Sequence, residues 1–216
     1  MNSSSLTSLV PAPDTSSPDV GASLQQHAAW RPALALGAGS LLLAGLLYAA
    51  VGTGLARLAF PQQSNGSLLL DAQGQVRGSR LIAQPFSADG YFQTRPSAAG
   101  YDPMAAAGSN LARSNPALAE RVAAAAREVG AREGIAPADV PADLITQSGA
   151  GLDPELSPAA AKLQVARVAR ARGWSPEQVQ ALLQAHAQGP QWGLLGQPRV
   201  NVMDLNRALD AAADAR

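Results

Sequence analysis

An uncharged run of 25 residues constrains this chain more than any other feature of its sequence. It extends from Pro32 to Ala56, between Arg31 and Arg57, and it contains eight leucines. A helix needs about 20 predominantly apolar residues to cross the hydrocarbon core of a bilayer. A cleaved signal peptide is the alternative, but its apolar region is usually only about 7 to 15 residues long and lies closer to the N-terminus. The run therefore predicts an uncleaved transmembrane helix over residues 31–56.

The flanks of this helix leave its orientation open, because one arginine on each side does not decide the question under the positive-inside rule. Small residues recur along the helix at a spacing of four, at Ser40 and Ala44 and again at Gly45, Ala49 and Thr53. Such spacing lets a second helix approach closely. It favours a packing partner in the membrane, although Gly and Ala are common in membrane helices in any case.

The segments on either side of the helix differ in composition. Residues 1–29 are rich in Ser, Pro and Ala and show no apolar periodicity, so they predict a short disordered tail. Residues 57–216 carry 15 basic and 14 acidic side chains and are numerous enough to form one hydrophobic core. The predicted organisation is therefore a tail over 1–30, a transmembrane helix over 31–56 and one domain over 57–216.

Strand signals come early in the domain and helix signals come later. Residues 67–70 and 75–82 flank a turn-forming stretch and predict a β-hairpin. Helix starts are predicted where a capping residue precedes proline, at Asn115, Ser157 and Ser175, and a last helix begins near Asn201. Residues 143–146 are a further short strand candidate. The pattern predicts an α+β fold.

Composition excludes several classes of function. The 16 basic and 16 acidic residues balance, which argues against a nucleic-acid binder that works by bulk charge. Cysteine is absent, so thiolate metal sites, disulfides and cysteine nucleophiles are excluded, and two histidines are too few for a typical histidine metal site. The phosphate loop G-x-x-x-x-G-K-[ST] and the hydrolase elbow G-x-S-x-G are also missing.

Three constellations could still carry chemistry, and each has a structural alternative. The loop over 148–154 is either an anion site or a tight turn. The pair Tyr91-Phe92 is either core packing or the wall of an interface or ligand site, with one ring on each face if the segment is a strand. A basic stripe is either a solvated helix face or a surface for phosphate, acidic lipid or an acidic partner; it comprises Lys162, Arg167, Arg170 and Arg172.

A succession of short motifs in the domain is similar to the C subunit of the Kdp-type potassium-transporting ATPase. The motifs are 78–84 (GSRLIAQ), 91–92 with 95–98 (YF, RPSA), 108–111 (GSNL), 115–116 (NP), 140–144 (VPADL), 148–154 (SGAGLDP), 157–160 (SPAA), 164–169 (QVARVA), 171–173 (ARG) and 196–202 (GQPRVNV). Two departures fall in or beside the Gly-rich loop, where Ala150 replaces a usual serine and Glu155 a common histidine. These departures favour a structural role for the loop.

The resemblance implies binding or interface residues but no catalytic and no metal-ligating residue. The candidates are Gln84, Tyr91, Phe92, Arg95, Ser97, Ser109, Asn110, Ser148, Gly149, Gly151, Asp153, Arg167, Arg199 and Asn201.

The resemblance also implies a role and a place in the cell. The family member is a single-pass accessory subunit of the bacterial inner membrane, with a cytoplasmic N-terminus and a periplasmic domain. Its partners are a channel-like potassium-binding subunit, a P-type ATPase subunit, a small fourth subunit in some complexes, and the lipid bilayer; nucleic acid is not among them. It assembles the pump and is described as a catalytic chaperone that raises the ATP affinity of the ATPase subunit. ATP and potassium are handled by the complex, so no cofactor is expected on this chain. A stand-alone, membrane-anchored periplasmic binding module remains the alternative.

Overall fold

The computed structural model describes residues 30–71 and 73–214. The predicted disordered tail lies outside the described residues. The chain divides into two compact units, Met1–Ala59 and Phe60–Arg216. Each unit is described by itself below.

The first unit contains one long apolar helix. It runs through α1 (Trp30–Ser40), a π-helical segment (Leu41–Leu47) and α2 (Tyr48–Ala59), which are consecutive in the chain. The 30 residues have a mean hydropathy of 2.0 in their most apolar window, and no side chain in that window is buried. At about 1.5 Å per residue the helix exceeds the roughly 30 Å hydrocarbon core of a bilayer. By length and composition it is able to cross a membrane.

The second unit begins with a short helix and the predicted hairpin. Helix α3 (Pro61–Ser64) leads into β1 (Leu68–Leu70), which pairs antiparallel with β2 (Val76–Ser79), with an irregularity between Leu69 and Leu70. The Asp71 side chain organises the turn, since its Oδ1 accepts hydrogen bonds from the N–H groups of Gln73 and Gln75 at 3.0 and 2.8 Å. The backbone hydrogen bond from Gln75, reinforced by the neighbouring Arg77 guanidinium, lowers the pKa of this exposed carboxyl.

The predicted helix starts are confirmed. Helix α4 (Pro116–Glu133) is capped by Asn115 and ends at Gly134, which has a left-handed φ of 74°. Helix α7 (Pro176–His186) begins with a complete capping box between Ser175 and Gln178. The last helix, α8, spans Val202–Asp214.

The helix predicted after Ser157 is interrupted. It forms as α5 (Pro158–Leu163), capped by Ser157, and α6 (Val165–Arg172), which ends at Gly173. The break falls at Gln164, whose side chain is fully buried and bonds to the backbone of Gln93.

A second, three-stranded sheet was not anticipated. Its strands are β3 (Glu155–Leu156), β4 (Ala187–Gln188) and β5 (Arg199–Asn201), with β5 in the centre and both pairings antiparallel. The strand predicted over 143–146 is wrong. A 3₁₀ turn (Ala142–Leu144) occupies that stretch, because Pro141 starts a turn in which the N–H groups of Leu144 and Ile145 bond to carbonyls three residues earlier. Two further 3₁₀ turns cover Pro103–Ala105 and Pro137–Asp139.

The hydrophobic core lies between the helices and this second sheet. Its large, fully buried apolar residues are Phe92, Leu156, Val168, Val179, Val200, Val202, Leu205 and Leu209. Val202, Leu205 and Leu209 follow helical spacing along α8, as the sequence predicts. The core therefore supports β3 and β5, and Asp153, Arg199 and four other candidate residues lie in or beside these strands.

Candidate functional site

A charged cleft of about 650 Å³ lies beside β3 and the start of α5. We call it the charged cleft; it is lined by Arg95, Asp143, Asp153, 155–159 and 196–199. Three of the predicted candidates, Arg95, Asp153 and Arg199, line it directly. The chain brings them together from two loops and the start of β5, which no local pattern in the sequence predicts.

Arg95 and Asp153 form the first ion pair of the cleft. Nη1 of Arg95 lies 3.1 Å from Oδ2 of Asp153, and Nη2 lies 3.2 Å from the Thr146 hydroxyl. Both charged side chains are about one-third exposed. Nε of Arg95 is buried and has no hydrogen-bond partner. The pair is therefore positioned for contact with a ligand or a partner, while its charges are already neutralised.

Arg199 and Glu155 form the second ion pair of the cleft, with Nε of Arg199 lying 2.9 Å from Oε1 of Glu155. Asp143 completes the lining, and its Oδ2 accepts a hydrogen bond from the Ser157 N–H at 2.7 Å. The cleft thus contains three carboxylates and two guanidinium groups, each with a partner within the domain.

The Gly-rich loop is built as a turn around Ser148. The Ser148 hydroxyl oxygen accepts hydrogen bonds from the N–H groups of Gly151 and Asp153, at 3.1 and 3.3 Å. The Ser148 N–H donates to the Pro96 carbonyl, and the Glu155 N–H donates to Asp153. A phosphate cradle needs several free N–H groups and no adjacent carboxylate. Three N–H groups of the loop are used within the domain and Asp153 adds a carboxylate, which supports the reading of this stretch as a turn.

Close backbone approach holds the loop against residues 97–108. The Ser97 hydroxyl donates to the Gly151 carbonyl at 2.6 Å, and Gly151 adopts a left-handed φ of 73°. A Cβ added to Gly108 would lie 2.6 Å from the Gly149 carbonyl oxygen. A Cβ added to Gly151 would lie 2.8 Å from the Ala107 carbonyl oxygen. Glycine is required at both positions. Ser97, Ser148, Gly149 and Gly151 therefore shape the contact between these two loops, and of the Gly-rich loop only Asp153 lines the cleft.

Tyr91 and Phe92 are not part of a strand, although their side chains do take different environments. Phe92 is fully buried, and its N–H and C=O both bond to the side-chain amide of Asn206 at 2.9 Å. Tyr91 is half-buried beside Arg172, and its hydroxyl donates a hydrogen bond to Oδ2 of Asp210 at 3.2 Å. Burial, followed by this hydrogen bond to Asp210, raises the pKa of Tyr91. Phe92 is therefore a core residue and Tyr91 covers the edge of the core.

Arg167 does not belong to an exposed basic stripe. Its side chain is 7% exposed, and its Nε lies 2.9 Å from the buried carboxylate of Glu133. Its Nη1 donates to the Asp89 and Tyr91 carbonyls, at 2.6 and 3.0 Å. Lys162 and Arg170 are exposed, whereas Arg172 packs on the Tyr91 ring. Tertiary packing thus disperses the four cations into different environments.

The remaining candidates lie apart from the cleft. The Gln84 side chain donates to the Arg77 carbonyl in strand β2 of the hairpin, and the Asn201 side chain donates to the Arg80 carbonyl at 2.8 Å. Asn110 is exposed with a left-handed φ of 49°, next to the half-buried Ser109. Gln84 and Asn201 thus connect separate segments of the domain, whereas the Asn110 side chain bonds locally to the Gly108 carbonyl.

Sequence reasoning missed two kinds of residue. Asp143 and Gln197 line the charged cleft and Thr146 bonds to Arg95 beside it, yet each is a common polar residue in a loop with no distinguishing spacing. Asn206 and Gln164 bond to backbone groups 114 and 71 residues away. For Asn206, the one signal in the sequence is that a polar residue interrupts the apolar spacing of α8. Among the described residues, no group of acidic or histidine side chains could hold a metal ion.

Comparison with known proteins agrees with the motif resemblance. The model of the family described as "K+-transporting ATPase, c chain" matches residues 30–211. A potassium-transporting ATPase KdpC subunit of Xanthomonas campestris pv. campestris is 57% identical over 88% of this chain and 91% of its own length. The corresponding proteins of Shewanella putrefaciens and Pseudomonas putida are 52% and 51% identical, over 87% and 86% of this chain and 93% and 97% of their own lengths. The chain therefore belongs to the KdpC family, the C chain of potassium-transporting ATPases.

Proposed function

We propose that this chain is a non-catalytic accessory subunit of an ATP-driven potassium uptake complex in a bacterial inner membrane. One observation carries the proposal: the family match extends from residue 30 to residue 211, so it covers both the apolar helix and the domain. In this proposal the helix anchors the subunit and packs against membrane-embedded partners through its small residues. The domain lies on the periplasmic side and contacts the outer surface of the channel-like subunit.

The geometry of the charged cleft supports a docking role. The Arg95–Asp153 and Arg199–Glu155 pairs are partly exposed, and each charge has an opposite partner within the domain. Paired charges at the rim of an interface fix orientation and specificity without requiring a bound ion. The Gly-rich loop supports the same view, because the N–H groups of Ser148, Gly151 and Asp153 are used in hydrogen bonds within the domain.

The proposed topology constrains how such a subunit would affect ATP affinity. A periplasmic domain cannot touch ATP in the cytoplasm. Its influence on the ATP affinity of the ATPase subunit would be indirect. The subunit would bind two conformational states of the complex with different affinity, and this difference is the coupling free energy. An influence of this kind requires no nucleotide site on the chain.

Co-purification tests the proposal. Tagged full-length protein is isolated in mild detergent from potassium-starved cells, and the accompanying chains are identified by mass. We expect a P-type ATPase subunit and a channel-like subunit in a one-to-one ratio with the tagged chain. A chain that purifies alone would contradict the proposal and favour the stand-alone anchored module.

Membrane topology can be tested separately by thiol labelling. Because the sequence contains no cysteine, an introduced cysteine is the only thiol in the chain. Met104 is 92% exposed, so Met104→Cys gives a single accessible thiol on the domain. Ser5→Cys gives the matched thiol in the N-terminal segment. A membrane-impermeant maleimide applied to spheroplasts should label the first variant, and should label the second only after lysis. The reverse pattern would refute the periplasmic placement.

A further inference from the structure

The connection between β4 and β5 exposes an apolar tip, residues 190–196. Trp192 is 90% exposed, Leu194 85% and Leu195 52%. No charged residue occurs from Ala187 through Pro198. Three large apolar side chains close together on an uncharged surface are typical of an interaction site.

The backbone of the tip is fixed although its side chains are exposed. The Gln191 N–H donates to the Leu195 carbonyl at 2.8 Å, and the Leu195 N–H donates back at 2.9 Å. Trp192 has a φ of 53°, which a bulky L-residue rarely adopts. An exposed tryptophan on a strained backbone gains almost no burial within the domain, and such strain concentrates at functional positions. The tip is thus preorganised to present Trp192.

We propose that this apolar tip inserts into an uncharged, apolar pocket on a neighbouring protein subunit of the same transport complex. The inference rests on the proposed function, because that function supplies the neighbouring subunit. Trp192 is the central anchor, and Leu194 and Leu195 cover the pocket beside it. Interface energetics are commonly dominated by a few such aromatic anchors in fully desolvated pockets.

The polar groups around the tip favour a protein over lipid as the occupant. β4 is an edge strand of its sheet, and both of its residues, Ala187 and Gln188, are exposed. Gln191 and Gln197 flank the apolar side chains and are exposed as well. Hydrocarbon cannot satisfy an open strand edge or side-chain amides, whereas a protein rim can. Interfacial membrane anchors also usually carry Lys or Arg, and the segment has neither.

The tip is continuous with the charged cleft. Gly196 is the last residue of the tip, and it lines the cleft together with Gln197, Pro198 and Arg199. The two features together give an apolar centre bordered by paired charges, which is the usual arrangement of a protein–protein interface. The cleft would then orient the partner, while the tip would supply most of the affinity.

The test uses full-length protein co-expressed with the other subunits and purified in mild detergent. Trp192→Gly removes the anchor and suits the left-handed backbone, so the domain should melt no lower than the wild type. Met104→Ala is the matched control, since it shortens an equally exposed apolar side chain elsewhere in the domain. We expect Trp192→Gly to weaken association with the other subunits by about tenfold or more, and Met104→Ala to leave it unchanged.

Photo-crosslinking identifies the occupant. With p-benzoylphenylalanine in place of Trp192, we expect a crosslink to a co-purifying subunit, and none from the same probe in place of Met104. Where the wild-type complex forms, two results would overturn the tip proposal alone. One is a crosslink to lipid, and the other is a Trp192→Gly variant that associates with the other subunits as strongly as Met104→Ala does. A wild-type chain that purifies without partners would overturn the proposed function, and the tip proposal with it.

Discussion

Replacing Gly108 by alanine should destabilise the domain, whereas the same replacement at Gly149 should not. A Cβ on Gly108 would lie 2.6 Å from the carbonyl oxygen of Gly149 and 3.3 Å from its C and Cα atoms. These are backbone atoms of a loop fixed by Ser148, so they cannot move aside as a flexible side chain would. Overpacking of this kind costs about 1–3 kcal/mol.

Gly149 is the matched control because it lies at the same contact. A Cβ on Gly149 would meet nothing within 4 Å, and its backbone is not left-handed. Alanine there restricts the unfolded chain and should be neutral or stabilising by about 0.4–1 kcal/mol. The two variants should therefore differ by about 1–4 kcal/mol in free energy of unfolding.

Thermal unfolding of the full chain in detergent, followed by tryptophan fluorescence, measures this difference. For a unit of this size 1 kcal/mol corresponds to about 2–4 °C, so the Gly108→Ala melting temperature should lie about 2–16 °C below that of Gly149→Ala. Equal melting temperatures would refute the conclusion that close backbone contact with Gly149 requires glycine at position 108.

Three further predictions concern the hydrogen-bonded interior and the hairpin turn. Asn206→Leu leaves the buried N–H and C=O of Phe92 without partners and should cost about 1–4 kcal/mol in a denaturant titration. Arg167→Met leaves the buried carboxylate of Glu133 undercompensated and should cost about 3–5 kcal/mol; a variant as stable as the wild type would show that the pair contributes nothing. Asp71 has a lowered pKa in the folded state, so its stabilisation is present above about pH 4 and is lost as pH falls through the folded pKa. The stability difference between wild type and Asp71→Asn should accordingly shrink between pH 7 and pH 3, and a constant difference would contradict the assignment.

The two sheets show how far the fold could be predicted. The hairpin was predictable because its strands and turn are contiguous, and Asp71 closes the turn with bonds to Gln73 and Gln75. The sheet of β3, β4 and β5 was not, because each strand has only two or three residues and pairs with a distant segment. Residues 143–146 were assigned to a strand from their composition, although Pro141 directs them into a turn.

In the candidate site, too, the local motifs could be predicted from the sequence and their distant partners could not. The Gly-rich loop and the Arg95–Ser97 segment stand out as motifs, and the structure joins them through the Ser97–Gly151 and Ser148–Pro96 hydrogen bonds. Their partners do not stand out, because Thr146 and Asp143 are ordinary loop residues until the chain folds. Arg167 is the opposite case, because it stands out in the sequence but was assigned the wrong environment. The basic stripe predicts an exposed cation, whereas the side chain is buried against Glu133.

The sequence by itself determined the features that depend on neighbours within a few residues. The uncharged run from Pro32 to Ala56 forms one long apolar helix, and the caps at Asn115, Ser157 and Ser175 start helices where predicted, because capping bonds reach only two or three residues along the chain. Only the tertiary structure decided which polar groups became buried and which residues met in the cleft. Arg95 and Asp153 are 58 residues apart, and Phe92 and Asn206 are 114 apart. Contacts at such separations arise from packing of the whole core, which no local pattern encodes.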